Sequence, residues 1–190
     1  MTLDTGRSSP DADFKTNRKQ GEAEPMRTPG ITFKELLADN EANAVKWQNW
    51  FEAHPQALEV LCDVAGSKTI GELVHHIFIV QLRLSQRLLG EPVHGFDNDP
   101  VTAPEVLFSL ADEGRSNLRR FLQHTNEAHA GEIIHFTLRS GRQVSVSRRK
   151  LFVHIMIHGI RHWAQISTLL RQNGYHPGWG ADFLDSTAMV

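Results

Sequence analysis

The sequence predicts an all-α protein, a four-helix bundle with one small β-hairpin placed before the last helix. Three observations carry that prediction. Apolar residues recur at helical spacing in four long stretches. Helix signals bracket several of them: Thr followed three residues on by Glu at the start, and Gly at the far end. One segment, residues 134–146, switches to alternation with a period of two.

The first helix begins at Thr32, paired with Glu35 in a capping box, and its apolar positions are Leu36, Leu37, Trp47, Trp50 and Phe51. Pro55 ends it, and a short helical turn is expected around Leu58 to Cys62. A second box, Thr69 with Glu72, opens a helix whose stripe is Ile70, Leu73, Ile77, Val80, Leu84 and Leu88, stopped by Gly90. The third helix starts near Thr102, with Pro104 in its first turn and Glu105 three residues after the cap. Leu107, Leu110, Leu118, Phe121 and Leu122 give it a buried face. Ile134, Phe136 and Leu138 then alternate with polar residues, Ser140-Gly141 turns the chain, and Val144 and Val146 alternate again. The fourth helix runs from about Ser147 to Asn173 and stops at Gly174. Four such stripes are best buried against one another.

The length of 190 residues, with 40% hydrophobic content, fits one domain and a tail. Residues 1–30 hold only Met1, Leu3, Phe14 and Met26 as large apolar side chains. Such a stretch cannot offset its ordering entropy, so a disordered tail is expected over 1–30 and the folded domain over 31–190. Met26, just before the first ordered pattern, is a second candidate start. A net charge of -2 shows no basic excess, so nucleic acid is not an expected partner. The single Cys62 excludes an intramolecular disulfide. No apolar run reaches the ~20 residues that span a bilayer, and MTLDTGRSSPDADF lacks the apolar core of a secretory signal. A cytoplasmic protein with no membrane partner is expected.

The unusual feature is eleven histidines, three of them in HIMIHGIRHWAQI, residues 154–166. At about 100° per residue, His158 and His162 fall within about 20° of Leu151 and Leu169, at the centre of the inward stripe. His154 lies nearer its edge. Two rings at i and i+4 on one face bring their nitrogens close enough for one ion, as in HxxxH zinc sites. On the second helix His76 lies at the flank of the stripe and faces a neighbour, whereas His75 points to the opposite side and is expected to be exposed. Two readings stay open. His158 and His162 either hydrogen-bond to Gln81 or Gln165 in a polar layer, or join His76 around a metal. His54, His94, His124, His129, His135 and His176 fall in loops, helix ends or the hairpin and read as surface residues. Trp47, Trp50 and Phe51 read as core or dimer interface, and Cys62 as a small buried hydrophobe.

Several stretches together resemble the DinB-like superfamily of damage-inducible proteins. They are TIGELVHHIFIVQLRLSQRLLG, HFTLRSGRQVSVSRRKLFVHIMIH, HGIRHWAQISTLLRQNGY and the closing GADFL, in order over residues 31–185. The resemblance implies an up-up-down-down four-helix bundle, often a homodimer. It also implies a divalent metal, zinc or nickel among others, held by three histidines that carry over to His76, His158 and His162. Two places depart from the family pattern, the first of them keeping only its glutamine, Gln165. Trp163-Ala164-Gln165 stands where many members have Arg-Gly-Gln, and Gln81 stands where many have an acidic residue. Both substitutions make the expected surroundings of the metal less charged.

Three neutral imidazoles leave a metal its full charge and an open coordination position, which suits catalysis better than a closed structural site. A zincin-type peptidase needs Glu after the first His of the pair, and that position is Gly159. Thiol chemistry asks for less, because coordination deprotonates a thiol outright and no neighbouring base is required. Some members of the superfamily act on substrates with a metal-bound low-molecular-weight thiol. The resemblance therefore implies a metal-dependent thiol S-transferase acting on a small electrophile, and Arg161 and Trp163, beside the last ligand, are expected to shape the pocket mouth. The alternative is a non-catalytic metal-binding protein of the stress response.

Overall fold

A computed structural model describes residues 30–95, 103–179 and 183–188. Five α-helices and two antiparallel hairpins follow in the order α1 (Phe33–Ala53), β1 (Leu61–Val64), β2 (Ser67–Thr69), α2 (Ile70–Leu89), α3 (Pro104–His124), α4 (Glu127–Gly131), β3 (Ile133–Thr137), β4 (Gln143–Ser147) and α5 (Arg148–Gln172). Short 3₁₀ turns occupy Pro55–Glu59 and Phe183–Asp185. The segment read as a tail lies outside the described residues except for Gly30, as does Thr102 at the expected start of the third helix.

Local chemistry sets these boundaries. The Thr32 hydroxyl accepts from the Glu35 amide at 3.2 Å while the Glu35 carboxylate accepts from the Thr32 amide at 2.6 Å, so two otherwise orphaned donors are satisfied reciprocally. The second expected box is only half made. Thr69 caps the Glu72 amide, but Glu72 turns back to the Lys68 amide at 2.7 Å. Ser147 ends β4 and caps α5 through the Lys150 amide, so the hairpin hands its last residue directly to the helix that carries His158 and His162.

The expected helical turn at Leu58 to Cys62 is corrected. The 3₁₀ turn stops at Glu59, and Leu61 to Val64 is a strand paired with β2. Val64 opposes Ser67, leaving Ala65 and Gly66 as a two-residue loop with φ of 55° and 81°. Positive φ at both positions matches the twist of a tight hairpin, and Gly66 adopts it without steric cost.

α2 packs on α3 and α5, and α1 packs on the same two helices. The buried apolar residues form two clusters. One joins Trp47, Phe51, Leu73, Phe78, Phe108, Trp163 and their neighbours, and the other joins Leu37, Leu88, Phe121, Leu151, Phe152 and Met156. Between them each long helix contributes buried polar side chains: Asp39 and Asn40 from α1, Gln81 and Ser85 from α2, Arg115 and Asn117 from α3, and His158 and His162 from α5. Gly114 makes this layer close. A Cβ there would stand 3.2 Å from Gln81 Cγ and 3.3 Å from the Leu82 amide, so α2 and α3 approach through a residue without a side chain.

Candidate metal centre

His158 and His162 lie on successive turns of α5 and are 7% and 2% exposed, while His76 reaches across from α2 half-buried. The roll of α5 follows from its neighbours. Trp163 stacks on Trp47 at 5.1 Å between centroids and meets Phe78 edge-on at 5.7 Å, contacts that together contribute about 1–3 kcal/mol beyond area burial. With Trp163 pinned in the core, the adjacent His162 turns toward α2. Trp163 therefore does not line a pocket mouth, which corrects the expectation for that residue.

The three rings converge. His76 Nε2 stands 3.2 Å from His158 Nε2. Ring centroids are 5.0 Å apart for His76 and His158, 5.1 Å for His76 and His162, and 4.5 Å for His158 and His162. One nitrogen from each ring lies within 4.8 Å of the other two, and among the described residues no Asp, Glu or Cys joins the group. Tetrahedral coordination at metal–nitrogen distances of 2.0–2.1 Å requires ligand nitrogens about 3.3–3.4 Å apart. The His76–His158 separation already matches that edge, and the third nitrogen lies within 4.8 Å of both. This buried group can hold a metal ion.

The tautomer of His162 follows from two contacts. A guanidinium cannot accept a hydrogen bond, so Arg161 Nη2, 3.2 Å from His162 Nε2, donates to that nitrogen's lone pair. The proton is then on Nδ1, which donates to Gln165 Oε1 at 2.7 Å. Nε2 is left as the ligand atom, and the glutamine fixes the ring plane. Burial, followed by the neighbouring rings and Arg161, lowers the pKa of His76 to about 4 and of His158 to about 3. Burial also lowers that of His162, partly opposed by Gln165. At neutral pH all three rings are uncharged, the state that binds metals.

Other expectations are met unevenly. His154 is exposed, as its place at the stripe edge implied. His75 is half-buried, although it was expected to be exposed. His54, His94 and His129 are also half-buried. His54 stacks on Trp50 at 4.5 Å, and His129 Nδ1 is 2.9 Å from the Thr125 hydroxyl. Gln81 is buried and lays its Cγ against α3 at Gly114. Trp47, Trp50 and Phe51 are core, and Cys62 is half-buried with burial raising its thiol pKa. Asn40 was not singled out by its sequence, yet its Nδ2 lies 3.4 Å from where a Cβ of Gly159 would stand, beside His158.

A family model described as the DinB family matches residues 26–188. The chain belongs to the DinB family. That match spans the three histidines and every element from α1 to α5. No curated protein matches the chain. Among the described residues no helix is long and apolar enough to cross a membrane.

Proposed function

We propose that this DinB family protein binds a divalent metal, zinc or nickel, through His76, His158 and His162, and uses it to transfer a low-molecular-weight thiol to a small electrophile. The observation that carries this reading is the convergence of three neutral imidazole nitrogens from two helices with no carboxylate among them. An all-nitrogen, uncharged donor set suits a borderline metal better than calcium or magnesium.

A metal bound there supplies Lewis acidity sufficient to hold a thiol as its thiolate at neutral pH. The protein's own groups do the rest. Gln165 holds His162 in the Nδ1–H tautomer, and the packed Trp163 fixes the direction of α5. His76, the most exposed of the three, marks the side open to small molecules. Arg161 lies over His162 Nε2 and would have to withdraw for a metal to be held by that nitrogen. In the reaction a sulfur–carbon bond forms, the bond from carbon to its leaving group breaks, that group departs with the electron pair, and the thiol proton passes to water.

The up-up-down-down arrangement belongs to the same reading. α1 packs on α3 and α5, and so does α2, so α1 and α2 lie across a diagonal and run parallel if neighbouring helices alternate. A homodimer is proposed as well, supported by exposed Ile157 and Ile160 on α5. The test begins with metal analysis of purified wild type and His158→Ala. Consumption of a chloronitroaromatic electrophile is then followed with a set of thiols, before and after chelation. Metal in the wild type alone, with chelator-sensitive turnover, is the expected result. A metal-free wild type overturns the site. A metal-loaded protein that turns over no thiol, and melts at a much lower temperature once chelated, overturns the transferase in favour of a binding role.

A further inference from the structure

Outside the histidine cluster, a groove of about 400 Å³ runs between the β3–β4 hairpin and the first turns of α5. Phe136, Val144, Leu84 and Leu151 give it apolar lining, and Gln143, Ser145 and His154 add polar groups beside them. Arg142 and Lys150 flank it, and among the described residues no acidic side chain lines it. The neighbouring cations are already neutralised: Arg148 meets Glu132 at 3.2 Å, and Arg149 pairs with Glu127. Among the described residues neither Arg142 nor Lys150 has an ion pair. Two other surface hollows differ in this respect. The one between α1 and α3 contains the Arg119–Glu41 pair, and the one beside Gly90 contains the paired Arg148.

The groove also leads toward the cluster. His154 lines it, and the His154 ring centroid is 5.9 Å from that of His158, one helical turn further along α5. We propose that this groove binds the electrophilic substrate, and that the substrate is an organic anion with a flat or extended apolar body and a single carboxylate, sulfonate or phosphate held by Arg142 and Lys150. An apolar slot with a few oriented polar groups recognises that chemistry. Two unpaired cations beside it supply the charge complement. The inference rests on the thiol-transferase reading for its electrophile, but binding to the groove is measurable without turnover.

The probe is naphthalenesulfonate, with naphthalenesulfonamide as its uncharged counterpart, titrated calorimetrically into the full chain with and without metal. Saturable binding of the sulfonate to both forms is expected, with the sulfonamide weaker. In Arg142→Gln/Lys150→Gln the sulfonate loses about tenfold in affinity, as two exposed charge contacts together allow. The sulfonamide, the metal content and the melting temperature stay unchanged, and Arg142→Lys/Lys150→Arg restores binding. Glutathione, polar throughout, does not displace the probe. Equal affinity for sulfonate and sulfonamide, or an unaltered double variant, overturns the groove. Displacement by glutathione overturns the electrophile assignment and gives the groove to the thiol. Sulfonate binding to a protein that takes up no metal leaves the groove standing and removes the transferase reading alone.

Discussion

Replacing Gln165 by Leu removes the acceptor of the His162 Nδ1 proton and keeps most of the side-chain volume. The 2.7 Å contact to Oε1 is the fixed point that selects the tautomer with Nε2 free. Losing such an outer partner costs about 10–100-fold in metal affinity. Gln165 is half-buried, so water takes over part of the role and the expected loss is about tenfold, or ~1.4 kcal/mol. The metal-free protein loses one hydrogen bond worth about 1 kcal/mol, a fall in melting temperature of about 2–4 °C for a chain of this size. Gln165→Glu acts in the opposite direction, since a carboxylate is a stronger acceptor and raises the donor strength of the ring. Competition for zinc against a chromogenic chelator measures all three proteins. Affinity of Gln165→Leu within twofold of wild type, or Gln165→Glu weaker than Gln165→Leu, refutes the orienting role.

Four further outcomes are expected. Arg161→Ala removes a cation 3.2 Å from His162 Nε2, so the same competition assay should report tighter zinc binding, by about threefold given the exposure of the guanidinium. Lowering the pH destabilises the metal-free protein. Above the ordinary histidine value of 6.5 both states are neutral; below it the unfolded chain takes up protons that the folded cluster refuses until about 4 at His76 and about 3 at His158. Chemical denaturation between pH 7 and 4 should therefore show falling stability, at up to ~1.4 kcal/mol per pH unit for each ring and less for the half-exposed His76. Gly114→Ala forces a methyl group against Gln81 and the backbone of Leu82 and should lower stability by about 1–3 kcal/mol in urea titration. Ala65→Asn keeps φ near 55° with a residue that tolerates it better and should raise stability by about 0.5–1 kcal/mol in the same assay.

The parts of this fold legible in the sequence are those whose signal is local. Thr32 with Glu35, and Ser147 opening α5, are complete within one turn of chain, and the structure keeps both. His158 and His162 stood out because four-residue spacing and the centre of an apolar stripe are properties of one helix. What depends on a second element was harder to read. Trp163 looked peripheral on α5, and its burial comes from Trp47 on α1. His75 faces away from the helix stripe, yet it is half-buried. The β1–β2 hairpin escaped notice because strands of four and three residues show too little alternation and Ala65-Gly66 is a weak turn signal. α4 is a single short helix capped by Asn126, too brief for periodicity to register. At the cluster, Gln165 was visible as one of two partners for a polar core layer and as part of the stretch compared with the family pattern, and Arg161 as a residue of the pocket mouth; neither contact to His162 could be read from the sequence.

The polar layer that divides the core also works as a key between helices. If α5 slid one turn along α2, the imidazoles would meet the aromatic and aliphatic residues on either side, and each stranded nitrogen would cost about 1–3 kcal/mol. Trp163 would leave Trp47 at the same step. A uniformly greasy seam tolerates such slippage, and this one resists it, so the alignment that brings the three rings together is enforced by the chain itself.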